Sequence, residues 1–284
     1  MELGVEVGVG RTSTVYAYGD GAVVKVPFAN VPKHWTALEA RFTTAARDLG
    51  LPVPDVLGVV DIDDRPSIIF ERIEGRSLLE HVVDDQGSAK AFAREFADVH
   101  HRIQRAGIPS SVPDLVDRLC LKTSTASQLS DVERSEAYRI AQTLPRGAAL
   151  LHGDLHPGNI LMSPSGPVII DWFDATIGHP VADVVRSSIL LTPTASGDDL
   201  VHLPGVPTAV VETTRLVYLE SFADLLDNAG QLLSSWRAVS AASRLSERAE
   251  VDESALLAIW HERPGDIDGR TEPLPGLGLA YEIL

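Results

Sequence analysis

The first 75 residues place apolar and polar side chains in short alternating bursts separated by glycine. Val5-Glu6-Val7-Gly8-Val9-Gly10 leads to Thr14-Val15-Tyr16-Ala17-Tyr18, and a Gly19-Asp20-Gly21 turn precedes Ala22-Val23-Val24-Lys25-Val26. Period-two alternation suits a strand with one buried face, and Asp-Gly marks a hairpin. The pattern turns helical over 33–49 and stops at Gly50 and the break from Pro52 to Pro54. Two further strands are predicted at Val56–Val60 and Ser67–Ile73. From residue 76 the spacing is mainly helical. Phe92, Phe96, Val99 and Ile103 share one face behind Ser88 as N-cap, and Ser130-Asp131-Val132-Glu133 has capping-box spacing. Later helices are predicted over 208–228, 234–249 and 252–263, and the Gly- and Pro-rich stretch from Pro264 reads as irregular. The expected class is α+β: a β-rich unit at 1–75, a helical unit at 76–263 and a tail at 264–284.

Composition narrows the class more than the chemistry. A chain of 284 residues, 44% hydrophobic, suits one large globular domain or two small ones. Its single cysteine, Cys120, leaves no intramolecular disulfide and suits a reducing compartment. The opening MELGVEVGVG lacks the charged and apolar segments of a signal peptide, and no run approaches ~20 apolar residues. A cytoplasmic protein with no membrane partner is expected. The formal charge of −16 argues against a nucleic-acid partner, whose phosphates attract Lys and Arg. The acid excess is 4 in residues 1–75 and 12 in residues 76–284, nearly equal densities, so it reads as a solvated surface. It leans only weakly towards a cationic small substrate.

The chemistry concentrates in Leu151–Trp172, LHGDLHPGNILMSPSGPVIIDW. Asn159 follows Asp154 by five residues, and Asp171 closes the apolar run Val168-Ile169-Ile170. One carboxylate to meet a hydroxyl, with an amide and a second carboxylate to hold hard Mg²⁺, is a set that can move a phosphoryl group from nucleotide to alcohol. His152, Asp154 and His156 also alternate as in a metal-dependent hydrolase, but no further ligands stand in fitting motifs. In the β-rich unit, Gly8, Gly10 and Ser13 form a small-residue loop whose backbone can approach phosphates. Lys25, on an apolar strand, is a point charge for the same phosphates, and Glu39, fourteen residues on, can steady it. Phe70, Glu71 and Ile73 end the last predicted strand, where backbone groups can read a base.

These residues resemble the catalytic signature of protein kinases. More closely, residues 1–263 resemble the aminoglycoside phosphotransferase and choline kinase-like family of small-molecule kinases. That family's loop, His-Gly-Asp-x-His-x-x-Asn, is matched at every defined position by His152-Gly153-Asp154-Leu155-His156-Pro157-Gly158-Asn159. Ile170-Asp171-Trp172 is similar to its metal-binding segment, and Gly178-His179-Pro180-Val181-Ala182-Asp183 to its Gly-Asp-Pro-x-x-Asp segment, with His179 replacing Asp.

The resemblance implies a bilobal protein-kinase-like fold, ATP and Mg²⁺ as nucleotide and metal, and a small-molecule hydroxyl as acceptor. It implies that Asp154 meets that hydroxyl, that Asn159 and Asp171 bind the metal, and that His152 and Asp183 brace the loop. Lys25 and Glu39 would serve the α- and β-phosphates under the Gly8–Ser13 loop, with the adenine against the Glu71 and Ile73 backbone and Phe70 behind it. Gly153 stands where protein kinases carry an Arg that receives an activation-loop phosphate, so loop phosphorylation is not expected as a switch. The acceptor is open. Asp174, His179, Glu220 and Asp224 are candidate lining residues, whereas Arg186 is out of place in a cation-binding pocket if it points inward. An atypical protein kinase and a catalytically weak nucleotide-binding scaffold stay as alternatives.

Overall fold

Strands β1 (Glu6–Val9), β2 (Ser13–Ala17), β3 (Ala22–Pro27), β4 (Val56–Ile62) and β5 (Arg65–Glu71) form one antiparallel sheet in the order β1-β2-β3-β5-β4. The computed structural model describes residues 3–192, 206–247 and 253–263. Gly19 and Gly21 turn the β2–β3 hairpin at φ of 66° and 73°, which a side chain would resist. Along β3, Val24 and Val26 pack with Tyr18 on the buried face, so period two sends Lys25 to the other face. Helix α1 (His34–Asp48) joins β3 to β4 and buries Phe42, Ala45 and Ala46 together with one acid, Glu39.

The rest is mainly helical, in the order β6 (Arg76–Ser77), α2 (Leu78–Asp84), α3 (Ala89–Arg105), α4 (Leu115–Thr125), α5 (Asp131–Thr143), β7 (Ala149–Leu151), β8 (Ile160–Ser163), β9 (Gly166–Ile169), β10 (Thr176–Gly178), α6 (Pro180–Leu190), α7 (Thr208–Glu220), α8 (Ala223–Ala229), α9 (Leu232–Arg244) and α10 (Glu253–His261). Two small sheets, β6-β8-β9 and β7-β10, lie among these helices. One core gathers Leu119, Val181, Trp236, Val239 and Trp260. The other joins Phe42 and Ala46 of α1 to Phe96, Ile103, Trp172 and Tyr218. The boundary expected at residue 75 is therefore crossed by a shared core, and Trp35 of α1 stacks on Phe173 at 4.3 Å. Among the described residues no helix is long and apolar enough to cross a membrane.

Three local expectations differ from the structure. The single helix expected over 208–228 breaks at Ser221-Phe222, because Phe222 turns inward against His101 at 4.1 Å and Tyr218 at 5.1 Å. Ser88 precedes α3, but its hydroxyl donates to Asp85 Oδ2 at 2.6 Å instead of capping the helix. The strand expected to reach Ile73 ends at Glu71. The helix expected over 234–249 ends at Arg244, while residues 248–249 and the 264–284 tail lie outside the described residues.

Ser130 forms the expected capping box. Its Oγ accepts from the Glu133 N–H at 3.3 Å, and Glu133 Oε2 accepts from the Ser130 N–H at 2.9 Å. These bonds from the Ser130 hydroxyl and backbone hold the Glu133 carboxyl at about 2, below its ordinary 4.5. Its stabilising contribution is thus full above about pH 4.5 and lost as pH falls towards 2. Ser130→Ala is expected to cost about 1 kcal/mol in urea unfolding at pH 7, and a loss below about 0.3 kcal/mol contradicts the box.

Candidate active site

The loop at 152–159 is clamped at both ends by strands. Leu151 of β7 pairs with Thr176 of β10, and Ile160 of β8 pairs with Ile169 of β9, which delivers Asp171 beside the loop. His152 is fully buried and joins the two segments. Its Nδ1 accepts from the Asp154 N–H at 3.3 Å, which leaves Nε2–H to donate to the Ile170 carbonyl at 3.0 Å. Asp183, in the first turn of α6, accepts from the N–H groups of His152 at 2.8 Å and Gly153 at 2.9 Å. His100 Nε2 lies 3.2 Å from the same carboxylate, and its Nδ1 lies 2.7 Å from the Tyr218 hydroxyl. Despite burial, these partners, with His100 foremost, hold the Asp183 carboxyl below its usual range. Gly153 has φ of 80°, and a Cβ there would stand 2.2 Å from the Asp174 carbonyl oxygen, so only glycine fits.

Asn159 donates from Nδ2 to the Asp154 carbonyl at 2.9 Å, so its amide oxygen is the atom that can face a cation. Asp171 adopts the left-handed region at φ of 65° and ψ of 61°, one of the few non-glycine residues to do so. Facing it from β3, Lys25 Nζ sits 2.9 Å from Asp171 Oδ1 and 2.6 Å from Glu39 Oε1. Burial works against the Lys25 charge, but Asp171 and then Glu39 raise its pKa above the usual value. Burial also opposes the Asp171 charge, and Lys25 nevertheless holds that carboxyl low. Gly8 and Gly10 are exposed, Ser13 is buried, and the Gly10 N–H donates to the Ser13 carbonyl at 2.8 Å. Phe70 is buried in β5, while the Glu71 N–H donates to the Asp55 carbonyl at 2.8 Å and half-buried Ile73 follows the strand.

Asp154 is ringed by cations. Arg186 and Arg244 approach its Oδ1 at 3.5 and 3.6 Å, and Arg11, from the turn between β1 and β2, approaches Oδ2 at 3.3 Å. Burial opposes ionisation, yet Arg186 and then His156 and the other arginines hold the carboxyl below its usual value. Burial pushes His156 down to about 4, so its ring is neutral at pH 7, with Nδ1 accepting from the Gly158 N–H at 3.1 Å. Arg186 therefore does point inward.

The four acceptor candidates separate. Asp174 lies in the site but is bound by Arg118 at 2.6 Å and Lys122 at 2.9 Å. His179 Nδ1 caps α6 by accepting from the Val181 N–H at 3.4 Å, and its ring lies 6.0 Å from that of Trp236. Glu220 and Asp224 are exposed at the end of α7 and on α8, and none of the ion pairs around Asp154 reaches them. Sequence reasoning missed Arg11, Arg118, Lys122, Arg244 and Glu247. The one local signal was spacing, since Arg118 and Lys122 are four apart on α4 and Arg244 and Glu247 are three apart.

The β-sheet followed by a mainly helical part is a protein-kinase-like fold. Residues 4–203 match the sequence model of the phosphotransferase enzyme family, and the chain belongs to that family. Viomycin phosphotransferase of Streptomyces vinaceus is 27% identical over 162 residues, which cover 49% of this chain and 56% of that protein. The EKC/KEOPS complex subunit BUD32 of Yarrowia lipolytica is 27% identical over 156 residues, covering 55% and 54%. The chain thus spans about half the length of the curated relatives it matches. A thermostable mutant of aminoglycoside phosphotransferase APH(4)-Ia, complexed with AMP-PNP and hygromycin B, superposes with a TM-score of 0.63 at 18% identity, over 93% of this chain and 95% of that one. The streptomycin–ATP complex of APH(2")-IIa gives a TM-score of 0.55 at 17% identity over 93% and 92%. At such identities the likeness shows the fold alone.

Removing the Asp183 carboxylate leaves the buried His152 N–H and the part-buried Gly153 N–H without their acceptor. Asp183→Ala is expected to lower stability by about 3 kcal/mol in urea unfolding. A loss below about 1 kcal/mol refutes this bracing role.

Proposed function

We propose that the protein transfers the γ-phosphoryl group of ATP, as its Mg²⁺ complex, to a hydroxyl of a small molecule. The observation that carries the reading is the meeting of Lys25, Asp171, Asn159 and Asp154 between the sheet and the helical part. Mg²⁺ typically takes one or two protein carboxylates and completes its shell with phosphate oxygens and water. The donor set fits that habit. Asn159 offers an amide oxygen and Asp171 a carboxylate, and the Ile170 N–H donates to the Asn159 carbonyl at 3.0 Å, which keeps the two segments side by side. When bound, Mg²⁺ offsets negative charge on the β- and γ-phosphates.

The chain's own residues do the rest. Lys25 exchanges its contact with Asp171 for the α- and β-phosphates while Glu39 keeps its direction. The loop of Gly8, Gly10 and Ser13 covers the phosphates, and the segment from Phe70 to Ile73 receives the adenine. Asp154 orients the acceptor hydroxyl in line with the γ-phosphorus. The acceptor oxygen bonds to that phosphorus, the bond to the β,γ-bridging oxygen breaks, and its electron pair leaves on ADP. The hydroxyl proton passes to Asp154 and from there to solvent. Because neighbouring cations hold Asp154 below the usual carboxylate range, it is a weak base that takes the proton late. The match to viomycin phosphotransferase supports a small-molecule acceptor. Gly153, which has no room for a side chain, supports an enzyme without the arginine that reads an activation-loop phosphate.

The test is ADP release with Mg²⁺·ATP over aminoglycosides, sugars, amino alcohols, hydroxy acids and a peptide pool. Asp154→Ala is expected to lower turnover by about two to four orders of magnitude while ATP affinity stays within about twofold. Asp171→Ala is expected to weaken Mg²⁺·ATP binding itself. Full turnover in the first variant, or unchanged affinity in the second, refutes the assigned roles, and transfer to peptides alone makes the protein a protein kinase.

A further inference from the structure

Two ion pairs cross from the sheet to the catalytic segments. Lys25 Nζ reaches Asp171 Oδ1 at 2.9 Å, and Arg11 Nη2 reaches Asp154 Oδ2 at 3.3 Å. In the proposed reaction Lys25 serves the α- and β-phosphates, while Arg11 has no role. Yet Arg11 stands at the tip of the β1–β2 hairpin, in the loop proposed to cover the phosphates. The Gly10 N–H donates to the Ser13 carbonyl at 2.8 Å and closes that tip, and the Phe28 N–H donates to the Thr12 carbonyl at 2.8 Å. The backbone on both sides of Arg11 is thus tied to the sheet, and its side chain spans the gap to the catalytic loop.

Of the three arginines around Asp154, Arg11 is held least. Arg186 and Arg244 lie on Oδ1, their side chains are 10% and 0% exposed, and Glu247 holds them at 2.9 and 3.2 Å. Arg11 lies on Oδ2, its side chain is 40% exposed, and its one ion pair among the described residues is with Asp154. Oδ2 is therefore the oxygen that an acceptor hydroxyl can take, and Arg11 is the cation that can yield it. A hydroxyl about 3 Å from Oδ2, attacking a phosphorus about 3–3.5 Å further on, places the γ-phosphoryl group within roughly 7 Å of that oxygen. A guanidinium already on Oδ2 reaches this place by rotating its own side chain. There it meets several oxygens and more negative charge than on a carboxylate that two other arginines share.

We infer that Arg11 is a further catalytic residue, which passes from Asp154 to the γ-phosphoryl oxygens when Mg²⁺·ATP binds and leaves Oδ2 to the acceptor hydroxyl. The inference rests on the phosphotransfer reading of Asp154. Arg11 takes no proton, because its guanidinium stays charged, and the bonds made and broken are those of the transfer itself. Its charge offsets the negative charge spread over the equatorial oxygens of the moving group. ADP lacks that group, so in the ADP complex Arg11 stays on Asp154. One side chain thereby makes the acceptor's oxygen available only when the nucleotide can donate.

The experiment measures calorimetric affinity for Mg²⁺·ADP and for Mg²⁺ with a non-hydrolysable ATP analogue, in the wild-type chain, Arg11→Ala and Arg11→Lys. ADP release from Mg²⁺·ATP is followed over the same acceptor panel. Arg11→Ala is expected to weaken the analogue about tenfold, to leave ADP within about twofold and to lower kcat about a hundredfold. Arg11→Lys, which returns the charge without the planar fork, is expected to recover part of both losses. Unchanged affinity for the analogue, equal weakening of both nucleotides, or a kcat within about twofold of wild type overturns the inference. Acceptor-dependent ADP release in any of those cases leaves the phosphotransfer reading standing. Weakening confined to the analogue, in a chain that phosphorylates no acceptor, upholds the γ-phosphate contact and sinks the role of Asp154. A wild-type chain that binds neither nucleotide sinks both.

Discussion

The loop at 152–159 has backbone N–H groups with no strand or helix to pair them, and one buried carboxylate, Asp183, supplies what it lacks. It accepts from His152 and Gly153 at once and so sets the path of the chain into Asp154. Its own place follows from α6, which starts at Pro180 with a preset φ and carries Asp183 in the first turn, where the helix dipole favours a negative charge. His100 from α3 and Tyr218 from α7 close the shell around it. Gly153 completes the constraint from the other side, because the loop passes too close to Asp174 for any Cβ. The acid at 154 is therefore positioned by packing in the helical core together with His152 and Asn159 of the loop itself.

The opposite wall depends on α1. That helix carries Glu39 towards Lys25, buries Phe42 and Ala46 in the core of the helical part, and stacks Trp35 on Phe173. Phe173 lies two residues after Asp171, so one rigid element positions both partners of Lys25. Closing the Lys25, Glu39 and Asp171 cluster requires the sheet and the Asp171 segment to be in register. Under the proposed function this ties the shared core to phosphate binding.

How much of this was legible follows from the range of each interaction. The alternation that buries Val24 and Val26 also aims Lys25, and a fourteen-residue gap with one helix between made Glu39 a readable partner. The box at Ser130 and Glu133 is wholly local, so it too was readable. Ser88 shows the limit of such reasoning, since Asp85 competes for its hydroxyl. Phe222 ends α7 because of what lies across the core, and helical periodicity carries no trace of that. The cations around Asp154 are harder still. Arg11 meets Asp154 across 143 residues, and Lys122 meets Glu247 across 125. Glu220 and Asp224, chosen because acids on a helix suit an ammonium-bearing acceptor, are exposed side chains at the end of α7 and on α8.

Global charge says little about the site for a related reason. The chain's net charge of −16 is a property of its surface, whereas Asp154 feels charges within a few ångströms in a poorly solvated site. There Arg11, Arg186 and Arg244 outnumber the acid they surround. In the proposed reaction this makes Asp154 a weak base, which a loose phosphoryl-transfer transition state tolerates because the acceptor oxygen need not lose its proton before attack. Glu247 in turn holds Arg186 and Arg244, so the ionisation of Asp154 is set by charges that are themselves paired and fixed in place.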